Sequence, residues 1–177
     1  MTLPVTQPPE ILARTLARVP RGGFPVTLPV TLPPEILART LARVRRGGSA
    51  LPYTLGLGFE WVEADFGRIV YRAPYREANT GLDGAMATGV LLSLVDQAGS
   101  MAAWMTGDFG NPRYFGSTVK TQLDRFEPAV REDVLGEGQV LSIQGELVHS
   151  VVRLTTANGR VLGHGSTIYR IADRGER

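Results

Sequence analysis

Residues 90–105, VLLSLVDQAGSMAAWM, constrain this chain more than any other stretch. Apolar side chains occur nearly all round the helix that such a run would form, which predicts a helix enclosed by the fold rather than one lying on its surface. A membrane span needs about 20 apolar residues; this run has 16 and contains Asp96. Charged residues also interrupt the other apolar runs, so we expect neither a membrane span nor a membrane partner.

The flanking segments read as the material that encloses the helix. From Leu55 the sequence LGLGFEWVEADFGRIVYRAPY gives two β-rich runs broken at residues 65–67, a hairpin or a sharply turned strand. A glycine-spaced loop, NTGLDGAMATG, delivers the chain into the helix. After it, GDFGNPRYFG reads as a loop and STVKTQLDRFEPA as a strand starting near Thr118 and stopped by Pro128. In that strand Val119, Thr121, Leu123 and Arg125 alternate with Thr118, Lys120, Gln122, Asp124 and Phe126. Two further strand stretches follow: VLGEGQVLSIQGE with LVHSVVRLTT, then RVLGHGSTIYRI, turned at Asn158-Gly159. One helix followed by an antiparallel run predicts an α+β domain whose sheet wraps the helix.

Ahead of this domain, residues 2–23 recur as residues 27–48, differing only at Gln7/Leu32 and Pro20/Arg45. Such identity marks a recent duplication rather than a solenoid, whose repeats diverge at their surfaces. Each copy carries PPEILARTLARV; in the second, Ile36, Leu37, Leu41 and Val44 share one stripe and Gly47 can end a helix. An arginine-rich presequence fits less well, because Glu10 and Glu35 interrupt it, than a helix docked beside the sheet. The chain of 177 residues therefore divides into a leader, residues 1–50, with short amphipathic helices, and one domain, residues 51–177.

Composition removes several chemistries. There is no cysteine, which excludes disulfides and thiolate nucleophiles and suits a reducing, cytoplasmic setting. Net charge is +2, and no aromatic-basic interleaving marks a nucleic-acid groove. The two histidines, His149 and His164, lie in late strands without Ser or Asp at triad spacing. Glu60, Glu63 and Asp65 read as solvated or turn positions, and no metal site is expected.

Three features remain that could carry chemistry. Asp96 is a carboxylate inside an apolar helix, where burial without a partner is costly; it is either a hydrogen-bonded structural acid or a catalytic one. Ala87, Thr88 and Gly89 open the helix with small residues, either a plain N-cap by Thr88 or amides facing a ligand oxygen. Thr118 could hold a water or a thioester, or be a strand former only.

Taken together, GAMATGVLLSLVDQAGS, STVKTQLDRFEPA and GRVLGHGSTIYRI resemble the hotdog-fold thioesterases of the phenylacetate-degradation type over roughly residues 55–171. In that family a G-x-x-H-G-G loop enters the central helix, an aspartate nine residues after the histidine is the catalytic acid, and a later strand brings Ser or Thr to it. Gly84, Gly89, Asp96 and Thr118 fall on those positions; Ala87 stands where the histidine would, Thr88 replaces the first glycine of the pair, and the upstream asparagine is Gly81 or displaced to Asn79. The resemblance implies an acyl-CoA thioesterase acting on an acyl or aryl-acyl thioester. Asp96 would be general base or nucleophile, the Thr88 amide the oxyanion donor, and Gly84, Ala87 and Gly89 the substrate-binding loop. No separate cofactor is implied, coenzyme A being part of the substrate; Arg125, Arg131 or Arg160 could hold its phosphates. A homodimer, doubled to a tetramer, is the implied assembly. The alternative is a catalytically weak acyl-CoA-binding protein, a sensor or partner; a dehydratase or hydratase, which leans on an active-site histidine, ranks last.

The duplication generates a test. Deleting residues 1–25 should leave activity and melting temperature nearly unchanged; a fall of many degrees by calorimetry, or loss of the oligomer, would assign the first copy a structural role.

Overall fold

The apolar run folds as one long helix because nothing breaks it between Thr88 and Trp104, and all but one side of it is buried. The computed structural model describes residues 32–45, 52–109 and 111–174. In chain order these form helices α1 (Pro34–Arg45) and α2 (Pro52–Leu57), strands β1 (Glu60–Asp65) and β2 (Arg68–Ala73), a 3-10 turn (Glu77–Asn79) and helix α3 (Thr88–Trp104). Strands β3 (Tyr114–Arg125), β4 (Val134–Gln144), β5 (Leu147–Thr156) and β6 (Val161–Asp173) follow. The six strands make a single antiparallel sheet in the order β1-β2-β4-β5-β6-β3, with α3 packed on one face. This is the hotdog arrangement, a curled sheet around a central helix.

Contact between helix and sheet is close enough to exclude side chains at particular points. A Cβ on Gly138 of β4 would lie 2.3 Å from the carbonyl oxygen of Ala98, and one on Gly99 of α3 would lie 2.4 Å from Thr167 Oγ1. Leu91, Leu94, Val95 and Ala98 on α3 are fully buried against Ile69, Val134, Val140, Leu154 and Leu162. Register shifts in the β1/β2, β3/β6, β4/β5 and β5/β6 pairings supply bulges, which raise local twist and let the sheet bend round the helix.

Three details differ from the sequence reading. Residues 55–57, expected in a strand, end the short helix α2, because Pro52 suits a first helical turn and Gly58, at φ 78°, stops it. The stretch VLGEGQVLSIQGELVHSVVRLTT is two strands, since Gly145 at φ 60° turns β4 back into β5. The strand after α3 starts at Tyr114, not near Thr118, because the long β6 pairs with it as far as Asp173.

Helix α1 lies against the domain. Val44 is fully buried, Leu37 and Leu41 pack on the core, Thr40 Oγ1 donates to the Gly107 carbonyl at 3.2 Å, and Arg39 pairs with Asp108. The helix expected in the first leader copy lies outside the described residues.

Gly138→Ala should lower unfolding free energy by about 2–3 kcal/mol, because the obstructing atom belongs to helix backbone and cannot rotate away. Urea denaturation checks this; a change below about 0.5 kcal/mol would mean that α3 can shift off the sheet.

Candidate active site

Helix α3 and edge strand β3 run antiparallel, so one seam between them carries several polar contacts. At its middle, Asp96 is half-buried rather than enclosed, because β3 is the outermost strand and leaves that helix face open. Thr118 Oγ1 donates to Asp96 Oδ1 at 2.8 Å, and Thr121 Oγ1 donates to the same oxygen at 3.2 Å. Thr121 in turn lies 3.0 Å from Thr167 Oγ1, which can donate to it. Among the described residues nothing donates to Asp96 Oδ2.

Strict alternation would put Thr118 and Thr121 on opposite faces of β3. They share a face because Thr118 pairs with Tyr169 and Lys120 with Ile168, leaving Val119 as an extra residue in a bulge. Val119 is accordingly 58% exposed, while both threonines reach the helix. The alternation read from the sequence holds after the bulge, from Lys120 to Arg125, but not across it.

At the start of the seam, Ala87 occupies the N-cap position in extended conformation and makes no side-chain cap bond; Thr88 is the first helical residue, so the N-cap reading for Thr88 does not hold. The amides of Val90 and Leu91 donate to the Ala87 carbonyl, which leaves those of Thr88 and Gly89 as the open donors of the first turn. Both residues are exposed, and a Cβ on Gly89 would meet nothing within 4 Å, so a ligand can approach the backbone there. Arg125 Nη1, at the end of β3, donates to Thr88 Oγ1 at 3.1 Å. Arg125 has no carboxylate partner among the described residues, whereas Arg160 is paired with Glu127 and Glu132. Arg131, at φ 52°, follows Val130, which bridges Ala85 in the loop that enters α3.

Gly84 has a conformational duty: at φ 71° it closes a turn in which its amide donates to the Gly81 carbonyl at 3.0 Å. The loop is pinned further by Asn79, buried, whose carbonyl accepts from the Ala87 amide at 2.9 Å and whose Nδ2 donates to the Leu57 carbonyl at 2.9 Å. Ser93, one turn after Gly89, bonds to its carbonyl at 2.8 Å and to Tyr53 of α2 at 2.9 Å. Thr121, Ser93 and Tyr53 were not legible as site residues, since contacts between elements distant in sequence leave no local signal. His149 and His164 stand on β5 and β6, the latter against the Phe126 ring at 5.3 Å. Among the described residues no three His, Cys, Asp or Glu cluster as metal ligands, and no helix is long and apolar enough to cross a membrane.

Beyond Asp96, Trp104 Nε1 donates to the Tyr169 hydroxyl at 3.0 Å. Burial raises the Tyr169 pKa above its ordinary value; the Trp104 bond acts in the opposite direction, and the negative charge of Asp96 adds to the rise.

Fold and seam together define the class: a hotdog-fold protein with an acid on its central helix and open amides at that helix's start. The chain shares its fold with solved structures of the thioesterase superfamily, phenylacetic-acid-degradation proteins among them. A thioesterase-superfamily protein is 25% identical with a TM-score of 0.64, covering 78% of this chain and 99% of that one. A thioesterase family protein from Silicibacter pomeroyi is 18% identical with a TM-score of 0.68, covering 76% and 98%. The E. coli PaaI protein of the phenylacetic acid degradation operon is 14% identical with a TM-score of 0.68, covering 78% and 97%. No sequence-family model matches the chain, and no curated protein sequence does.

Asp96→Asn should let Tyr169 ionise at lower pH than in the parent, because the neighbouring negative charge is gone, yet still above the ordinary tyrosine range, because burial remains. Ultraviolet titration checks this, with Tyr169→Phe identifying the signal among five tyrosines; an unmoved titration would mean that Asp96 exerts no charge on the ring.

Proposed function

We propose that this protein hydrolyses acyl thioesters, with coenzyme A as the thiol half of the substrate and no separate cofactor. The observation that carries the reading is the pair of threonine hydroxyls on Asp96 Oδ1, which fixes the carboxylate and leaves Oδ2 to accept a proton from water. Water activated in this way adds to the thioester carbonyl. The tetrahedral intermediate then breaks its C–S bond, and the proton taken by Asp96 leaves with the thiol. The same oxygen could instead attack the carbonyl directly as a nucleophile, breaking the C–S bond and expelling the thiolate to give a mixed anhydride, which water then hydrolyses to the free acid and the Asp96 carboxylate. Stabilising the oxyanion falls to the open amides of Thr88 and Gly89, reinforced by the positive end of the α3 dipole. The Arg125 guanidinium, held at Thr88, adds positive charge there for the oxyanion or a coenzyme A phosphate. Gly84 and Ala87 shape the loop that admits the thioester. The resemblance to thioesterase-superfamily structures supports the same reaction class.

A single chain supplies these parts poorly. Thr88 and Asp96 are eight residues apart on one helix, about 12 Å along its axis at 1.5 Å per residue. An oxyanion donor must lie about 3 Å from the oxygen it serves. We therefore assign the acid and the amides of each site to different chains of a two-fold homodimer, in which antiparallel helices build two equivalent sites. The outer rim of β3 has no neighbouring strand in the isolated chain, which suits such an association; a dimer of dimers and a cytoplasmic setting complete the reading. One observation favours the non-hydrolytic alternative: Ala87 offers no polar side chain at the helix entry. A binder would retain acyl-CoA without releasing thiol.

A thiol-release assay over short, long and aryl acyl-CoAs decides between them. Asp96→Asn should cost about 10³-fold in turnover with an unchanged circular dichroism spectrum; near-normal turnover removes Asp96 from the mechanism. Thr88→Pro, which deletes an amide where a helix tolerates proline, should also be inactive. Mixing the two variants should restore activity, because the mixed dimer contains one intact site. No recovery, with mixed dimers verified by mass, would mean that each chain builds its own site or that Thr88 is not the donor.

A further inference from the structure

The far end of the α3/β3 seam holds a cavity of about 270 Å³, lined by Trp104, Phe109 and Tyr114 and flanked by Arg43 and Arg174. It does not include Asp96 or the start of α3. Its aromatic wall is ordered: Trp104 and Phe109 have ring centroids 5.2 Å apart at 56°, and Trp104 is tied to Tyr169 by its indole N–H. The arginines are held by stacking rather than by ion pairs. Arg43 lies over the Phe109 ring at 4.9 Å, and Arg174 over Phe115 at 5.7 Å, with the Arg174 amide donating to the Arg113 carbonyl at 2.9 Å.

Neither guanidinium meets a carboxylate among the described residues. Two acids beside them in the described residues are engaged elsewhere, Asp108 by Arg39 and Asp173 by Arg113. Two cations without a carboxylate partner among the described residues, at the mouth of an aromatic pocket, select for a planar ring bearing negative charge, since ring faces bind a flat apolar body and guanidinium forks bind anionic oxygens. The volume lies at the lower limit of small-molecule sites, which restricts the ligand to one or two rings. Arg43 comes from α1, so the leader helix supplies one of the two charges.

We propose that this cavity is a binding site for a small aromatic anion, separate from the reaction centre and completed by the leader helix. Trp104 reports on it directly, because Trp61 is the only other tryptophan and can be replaced by Phe. The full-length Trp61→Phe protein, titrated with 2-naphthoate, should show a saturable change in fluorescence. The neutral isostere 2-naphthylmethanol and the ring-free anion cyclohexanecarboxylate should each bind at least tenfold more weakly. Arg43→Gln and Arg174→Gln, both at exposed positions and checked for folding by circular dichroism, should each weaken naphthoate binding at least tenfold. Thr88→Pro, which disables the reaction centre, should bind naphthoate as the parent does. No saturable change, equal binding of the neutral isostere, insensitivity to both arginine substitutions, or loss of binding in Thr88→Pro would each overturn the proposal.

Discussion

Everything in this domain depends on how closely α3 approaches β4. The Ala98 carbonyl sits where a Gly138 side chain would begin, so at this point helix and sheet meet backbone to backbone, while large side chains fill the space on either side. That approach fixes both the rotation and the height of the helix. Asp96 is presented toward β3 because the neighbouring residues Val95, Gln97 and Ala98 are already committed to the interior. A helix riding one methyl group higher would carry the carboxylate away from the threonines, whose bonds at 2.8 and 3.2 Å leave little slack.

The seam between α3 and β3 then orders the polar residues in a line. Arg125 meets Thr88, Thr118 and Thr121 meet Asp96, and Tyr114 faces the cavity beside Trp104. The order follows from two elements that run antiparallel, and no irregular loop is needed to gather the groups. The loop before α3 is irregular, but its work is conformational: Gly84 turns it and the buried Asn79 anchors it.

What the sequence disclosed, and what it withheld, follows from the range of the interactions. An enclosing sheet was readable because residues 90–105 are apolar on every face, and Asp96 was readable as the exception within that run. Helix α2 was not, because six residues are too few for a helical period to emerge and LGLGF mimics strand alternation. The hairpin at Gly145 was missed because VLSIQGELVHSVV stays strand-like through a turn of only two residues. The partnership of Thr121 with Asp96 was hidden by Val119, whose extra place in the strand depends on pairing with β6 and leaves no mark on local composition.

That bulge separates two kinds of robustness. A substitution at Val119, which points away from the helix and is largely exposed, leaves the strand register intact. Losing the residue altogether would let β3 pair without interruption, so the sheet could still form while every side chain on one flank of the deletion changed sides. The sheet therefore tolerates a change in length that the polar seam does not. Among homologues, a one-residue gap within β3 would mark a rewired centre on an unchanged scaffold, where an ordinary alignment would count it as trivial.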